Sequence, residues 1–276
     1  MLLPAFGADE KIMVPGFSTD IPKEFSSLDE ARNSLDYQTN GIVSFFKDAE
    51  NKILSGTSVE AEIESSRYYW SQQLAIWDAA FKAFMNNPNN MLNHKSQQAA
   101  WALRIHQRMG SMHLRPRTPL MLADEVSWEL YRQDHEDIVT FAEAVVALDE
   151  IKRGTSANRK IEFSLDISLV SPVYSVAHKC REPNLRRRAI ALLKRAQRQE
   201  GLWDSTIAAR VAERIVAIEE DAVGDVTKYE SIPMWARVVG VSVSFDKQGR
   251  EGRFIYSRAS SQEQPVPQTY QETIHW

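Results

Sequence analysis

Residues 70–84 read WSQQLAIWDAAFKAF, and within them Trp70, Leu74, Trp77, Phe81 and Phe84 recur at steps of four, three, four and three. That spacing sets five large side chains on one face of an α-helix, whereas a strand changes face at every residue. Full burial of each such side chain stabilises a fold by about 1.5–3 kcal/mol, so the stripe must lie against another apolar surface. Thr57 with Glu60 offers a capping box at the start of this helix, and Pro88 marks its stop.

The same period extends in both directions. Upstream, Ser27-Leu28-Asp29-Glu30 reads as a capping box, followed by Leu28, Ala31, Leu35, Ile42, Phe45 and Ala49 at helical spacing, with Gly41 as a weak point. Downstream, a helix from near Ser96 to Leu114 carries Ala99, Leu103 and His106 and stops at Arg115-Pro116. The next stripe is Trp128, Tyr131, His135, Ile138, Phe141, Val145 and Leu148, closed by Lys152, Arg153 and Gly154. Ile161 to Leu169 alternates like a strand yet also fits a helix; we assign a helix from about Asp166, with Pro172 in its first turns. Two further helices turn Leu185, Ala189, Leu192 and Ala196, then Ala208, Val211, Ile215 and Ile218, inward, with Gly201 and Asp204 between them.

The period then changes. Val239, Val241, Val243 and Phe245 alternate with small or polar residues before Phe254-Ile255-Tyr256, which predicts a hairpin over Arg237 to Tyr256. The predicted fold class is therefore mainly all-α, an antiparallel helical array with a small C-terminal β-hairpin. Residues 1–26 read as an extended leader, 27–256 as one helical domain including the hairpin, and 257–276, rich in Ser, Gln and Pro, as a disordered tail.

The net charge of −4 opposes the basic footprint that phosphate binding leaves, so specific DNA recognition by this chain is not expected. No apolar run is long enough to cross a bilayer as a helix. With Cys180 as the single cysteine, no intrachain disulfide forms and no thiolate cluster for zinc is available. The histidines are scattered, and His135-Glu136 lacks the second histidine a zinc-protease helix carries four residues on. The chain also has no phosphate loop, dinucleotide fingerprint or nucleophile elbow. We assign no catalytic residue, metal or cofactor. Lys179, Arg181, Arg186, Arg187, Arg188, Lys194, Arg195 and Arg198 read as a solvated face paired with acids such as Glu219, Glu220 and Asp221. Tyr69, Trp70, Trp77 and His106 are the candidate lining of an apolar pocket, with a plain core role as the stronger reading.

Between Leu165 and Glu220 the chain carries Ser171-Pro172-Val173-Tyr174, Lys179-Cys180-Arg181-Glu182-Pro183, Leu185-Arg186-Arg187-Arg188-Ala189 and Glu200-Gly201-Leu202-Trp203-Asp204-Ser205. This block resembles the C-terminal core of fungal zinc-binuclear-cluster transcription factors. Leu103-Arg104-Ile105-His106, the helix around Phe141 and Val238-Val239-Gly240-Val241 are similar to other parts of the same region. The resemblance implies a regulatory domain in the nucleus, with the cytoplasm as alternative, that meets protein partners (a dimer mate or a coregulator) and a small-molecule effector. The cysteine-rich DNA-binding module of such factors is absent from these residues. The alternatives are a free-standing interaction protein and a small-molecule sensor. Within the block, Cys180, Arg181, Pro183, Arg187, Glu200, Gly201, Trp203 and Asp204 carry the likeness, and a structural role is expected for them. Gly201 is suited to end one helix in the left-handed conformation, Asp204 to cap the next, and Trp203 to plug the corner against Leu192, Ala196 and Val211.

Overall fold

The computed structural model describes residues 20–56, 60–115, 125–154, 162–163, 169–200, 203–224, 232–246 and 251–275. The chain is mainly α-helical, with seven α-helices among the described residues. It falls into two compact units that meet in sequence at Arg115 and Pro116, where a single domain over 27–256 was the expectation.

The first unit holds α1 (Leu28–Leu54), α2 (Glu60–Asn86) and α3 (His94–His113). Ser27 caps α1 by accepting from the Glu30 amide, while the Glu30 carboxylate reaches back to the Ser26 amide rather than to Ser27. Asn93 caps α3 by accepting from the Ser96 amide. The stripe of α2 fills the core: Trp77 and Phe81 have no exposed surface, and their rings stack at 4.7 Å. The Trp77 indole N–H donates to the Ala31 carbonyl of α1 at 2.9 Å, satisfying the one polar atom of a buried ring. Phe25, within the expected leader, joins this core at 5.7 Å from Trp77. Gly41 does not weaken α1. A Cβ there would fall 2.0 Å from the Trp70 ring, so the glycine is the seat for that ring in a continuous helix. The Thr57 capping site lies outside the described residues.

In the second unit, Trp128 sits in a short 3₁₀ turn, Ser127–Tyr131, that leads into α4 (Arg132–Gly154). There follow β1 (Glu162–Phe163), α5 (Val170–Lys179), α6 (Pro183–Ala196), β2 (Arg198–Glu200), β3 (Trp203–Asp204), α7 (Ser205–Val223), and then β4 (Val239–Asp246), β5 (Glu251–Ala259) and β6 (Pro267–His275). Helix α6 packs against α4, α5 and α7, burying Leu185, Ala189, Leu192 and Ala196 as their spacing required.

Several expectations are corrected here. Glu162–Phe163 is a strand, paired in parallel with Arg198 and Gln199, so the alternating reading holds there; Asp166 lies outside the described residues. Helix α5 starts at Val170 because the Glu200 carboxylate accepts from the Leu169 and Val170 amides at 2.7 and 2.8 Å. Pro172 then falls in the first turn, where the missing N–H costs nothing. The stop of α6 is Gln197, at φ 48° and ψ 48°, not Gly201, which lies outside the described residues. Finally, the C-terminal sheet has three antiparallel strands instead of two, because residues 267–275 of the expected disordered tail pair with β5 as β6. Two anchors suffice: Ile274 is buried and Tyr270 packs beside it on the core formed by Val211, Ile215, Val238, Phe254 and Tyr256. Nine rungs of backbone pairing then order the polar residues between them.

Candidate functional site

The resemblance block folds into a buried ionic cluster. Helix α5 ends at Lys179 with Cys180 as its extended C-cap, and Glu182 caps α6 by accepting from the Asn184 and Leu185 amides, with Pro183 at the first helical position. Both helix ends being satisfied locally, Arg181 in the short connector is free to turn inward. Its guanidinium donates to Glu125 at 2.9 Å, to Glu219 at 2.9 Å and to the Lys179 carbonyl at 2.9 Å. Arg186, one turn into α6, donates to the Ala177 carbonyl at 2.9 Å and lies 2.6 Å from the other oxygen of Glu219. Glu219 also accepts from the Val238 amide at 2.8 Å, which ties α7 to the start of the sheet. Arg237 completes the cluster with the Ile232 and Glu125 carbonyls and the Glu129 carboxylate, and Lys179 pairs with Glu125 at 2.5 Å.

The charges are desolvated but mutually compensated. Burial opposes the charged form of Glu219, yet Arg181 and Arg186 overcome it and hold the carboxyl below its usual range. Glu125 behaves alike, with burial outweighed by Lys179 and Arg181. Burial and then the same cations push His178 well below the ordinary histidine value, and burial with Arg181 takes His135 to about 4. Burial pushes the Cys180 thiol up. The cluster therefore contains ion-paired carboxylates, neutral histidines and a neutral thiol, which is the chemistry of a structural lock.

The other block residues have local roles. Glu200 fixes the start of α5 as described, and Asp204 caps α7 by accepting from the Thr206 and Ile207 amides at 2.8 and 3.0 Å. Trp203 is half-buried, its ring 5.4 Å from that of Tyr174, a partner on α5 that the sequence reading did not name. The basic face is corrected in part. Arg187 pairs with Glu220, Arg188 with Glu136 and Glu143, Lys194 with Glu213 and Arg195 with Glu150, as a solvated face does. Arg181, Arg186 and Arg198, however, are buried: Glu219 faces inward with the first two, and Arg198 lies 3.5 Å from Glu200 and 3.7 Å from Asp149.

In the first unit, Trp77 is core, Trp70 is seated on Gly41, and Tyr69 is half exposed with its ring edge-on to Trp70 at 5.0 Å. His106 lies partly buried on α3. Among the described residues, no group of three or more His, Cys, Asp or Glu is placed to hold a metal ion, and no helix is long and apolar enough to cross a membrane. Glu272 and His275, the one Glu-x-x-His spacing in the chain, fall on opposite faces of β6, with Glu272 paired to Arg214.

Sequence reasoning passed over Glu125 and Arg237 and read Arg186 and Glu219 as surface charges. The signal for two of them was present. Glu219 follows Val211 and Ile215 by eight and four residues, and Arg186 precedes Ile190 and Leu193 by four and seven, so each charge stands on the apolar stripe of its helix. For Glu125 and Arg237, which lie outside such stripes, no local signal exists.

Compared with known proteins, the chain is 32% identical over 118 residues to the aspercryptin biosynthesis cluster-specific transcription regulator atnN of Emericella nidulans. The match takes in 41% of this chain and 18% of that regulator, so the chain spans only a small part of its relative's length. No family model matches the chain. No solved structure matches it either. The chain thus has a partial relative among fungal transcription regulators.

Proposed function

We propose that the chain is a regulatory region of a fungal transcription-factor-like protein, working in the nucleus through contacts with coregulators and a small-molecule effector. The observation that carries this reading is the similarity to the cluster-specific regulator. The zinc-cluster resemblance extends it to the regulatory half of such factors. Recognition of DNA through a zinc cluster cannot reside in these residues, because one cysteine does not supply the thiolates. The paired outer face of α6 is consistent with that division of labour: its Arg and Lys side chains already meet carboxylates of α4 and α7. A catalytic role is not part of the reading.

Fusion of the full chain to a heterologous DNA-binding domain in a filamentous fungus tests it. The fusion is expected to change expression of a reporter carrying the cognate operator, up or down, relative to the DNA-binding domain alone. An unchanged reporter, with the fusion folded and present in the nucleus, overturns the proposal.

A further inference from the structure

We infer that Ser261 is a phosphorylation site for an arginine-directed Ser/Thr protein kinase, and that Arg258, which has no carboxylate beside it, clamps the phosphoryl group once it is added. Strand β5 closes on β6 at the Ala259–Pro267 rung, and the loop between them stands clear of the fold, with Ser260 and every residue from Gln262 to Val266 exposed. Protein kinases take their substrate as an exposed, extended segment, and the arginine-directed ones pair their own carboxylates with a guanidinium three residues before the hydroxyl. Among the described residues that spacing occurs twice, at Arg108 with Ser111 and at Arg258 with Ser261. Ser111 lies inside α3, where its hydroxyl is held by Gln107, so the loop serine is the one a kinase can draw out.

The arginines of α6 and α7 all meet carboxylates. Arg258 does not. Its guanidinium lies over the Tyr270 ring at 5.9 Å, and its Nε is shut off from solvent without an acceptor. A phosphoryl group supplies the missing anion and three strong acceptor oxygens. Three extended residues span about 10 Å, a gap that an arginine and a phosphoserine side chain close from both ends. Unmodified, the Ser261 hydroxyl bonds to the Glu263 carboxylate and accepts from the Gln264 amide at 3.3 Å. Transfer of the γ-phosphoryl group from Mg-ATP forms the Oγ–P bond as the bond to ADP breaks, and the hydroxyl proton is released. The product has no hydrogen to give Glu263 and repels it, so the group turns from Glu263 to Arg258.

The test incubates the full chain with Mg-ATP and the catalytic subunit of the cyclic-AMP-dependent protein kinase, an arginine-directed enzyme. Trypsin then releases Ala259–Trp276, which contains no Lys or Arg. This peptide is expected to carry a phosphoryl group in the parent and none in Ser261→Ala, and Arg258→Gln is expected to be labelled many times more slowly. ³¹P NMR of the labelled parent reads the clamp from the resonance that Ser261→Ala lacks. A phosphoserine ordinarily loses its second proton at about pH 6, and pairing with Arg258 is expected to lower that midpoint in the folded chain relative to the same sample unfolded in urea. An unlabelled parent peptide, a label that persists in Ser261→Ala, or an unchanged rate in Arg258→Gln overturns the site. A midpoint equal to that of the unfolded chain, or raised above it by Glu263, overturns the clamp.

Discussion

Arg181 and Glu219 meet at 2.9 Å with both side chains at 0% exposure, and the same carboxylate receives Arg186 and the Val238 amide. One acid on α7 thus meets two arginines, from the α5–α6 connector and from α6, and holds the entry to the sheet, while Glu125 supplies the second counter-charge to Arg181.

Glu219→Gln leaves a neutral acceptor for Val238 but strands the buried Arg186 guanidinium and removes one of the two carboxylates that meet Arg181, which keeps Glu125. Breaking a buried pair by removing one partner costs about 3–5 kcal/mol, so the variant should unfold at a much lower urea concentration than the parent. Glu220→Gln, which loses only the exposed pairing with Arg187, should shift the midpoint little and serves as control.

Stability should fall on acidification, starting near pH 6.5. His135 is pushed from the usual 6.5 to about 4, and His178 well below 6.5, so the unfolded chain binds protons that the folded one refuses. The stability is therefore complete above the unfolded value and is lost as pH drops below it, at about 2 kcal/mol by pH 5 for His135 alone. Glu125 and Glu219, held low by their cations, add a further loss below about 4.5. Melting temperatures across pH 4–8 check the sign, and His135→Gln should flatten the upper part of the curve.

Gly41→Ala should destabilise the first unit although alanine is the better helix former by about 1 kcal/mol. The added methyl meets three atoms of the Trp70 ring closer than 3.0 Å, and overpacking of this kind costs about 1–3 kcal/mol. Trp70→Leu in the Gly41→Ala background should recover part of the loss, as read by thermal melts.

Asp204→Ala should cost about 0.5–2 kcal/mol, the ordinary worth of an N-cap accepting two amides. Trp203→Ala should cost about 1–3 kcal/mol, below the range for a fully buried tryptophan, since the ring is half-buried against Tyr174. Urea titration of both variants measures the difference.

Duplex DNA should not be retained specifically in a gel shift at physiological salt. The exposed cations of α6 are engaged by Glu136, Glu143, Glu150, Glu213 and Glu220, and the net charge is −4. Sequence-selective retention lost in Arg187→Ala with Arg188→Ala would show the pairing to be displaced by phosphate.

Much of the helical architecture was legible because burial imposes a 3.6-residue period on local sequence. Trp70 to Phe84 places α2 and its core face, Leu185 to Ala196 places the inner face of α6, and Asp204 declares the start of α7. The division after Arg115 was not legible, since helices of one unit or two carry the same period.

Tertiary structure alone decided the rest, because it depends on groups distant in sequence. Gly41 reads as a helix weakness until the Trp70 ring is set on it, and 267–275 reads as a polar tail until β5 supplies nine rungs and a core for Ile274. The start of α5 is fixed by a carboxylate thirty residues on. The apolar stripes place Arg186 and Glu219 on inward faces, but only the packing decides that Arg181 joins them and that the three charges meet, for a charge is tolerated in the interior only when its counter-charge arrives from another element.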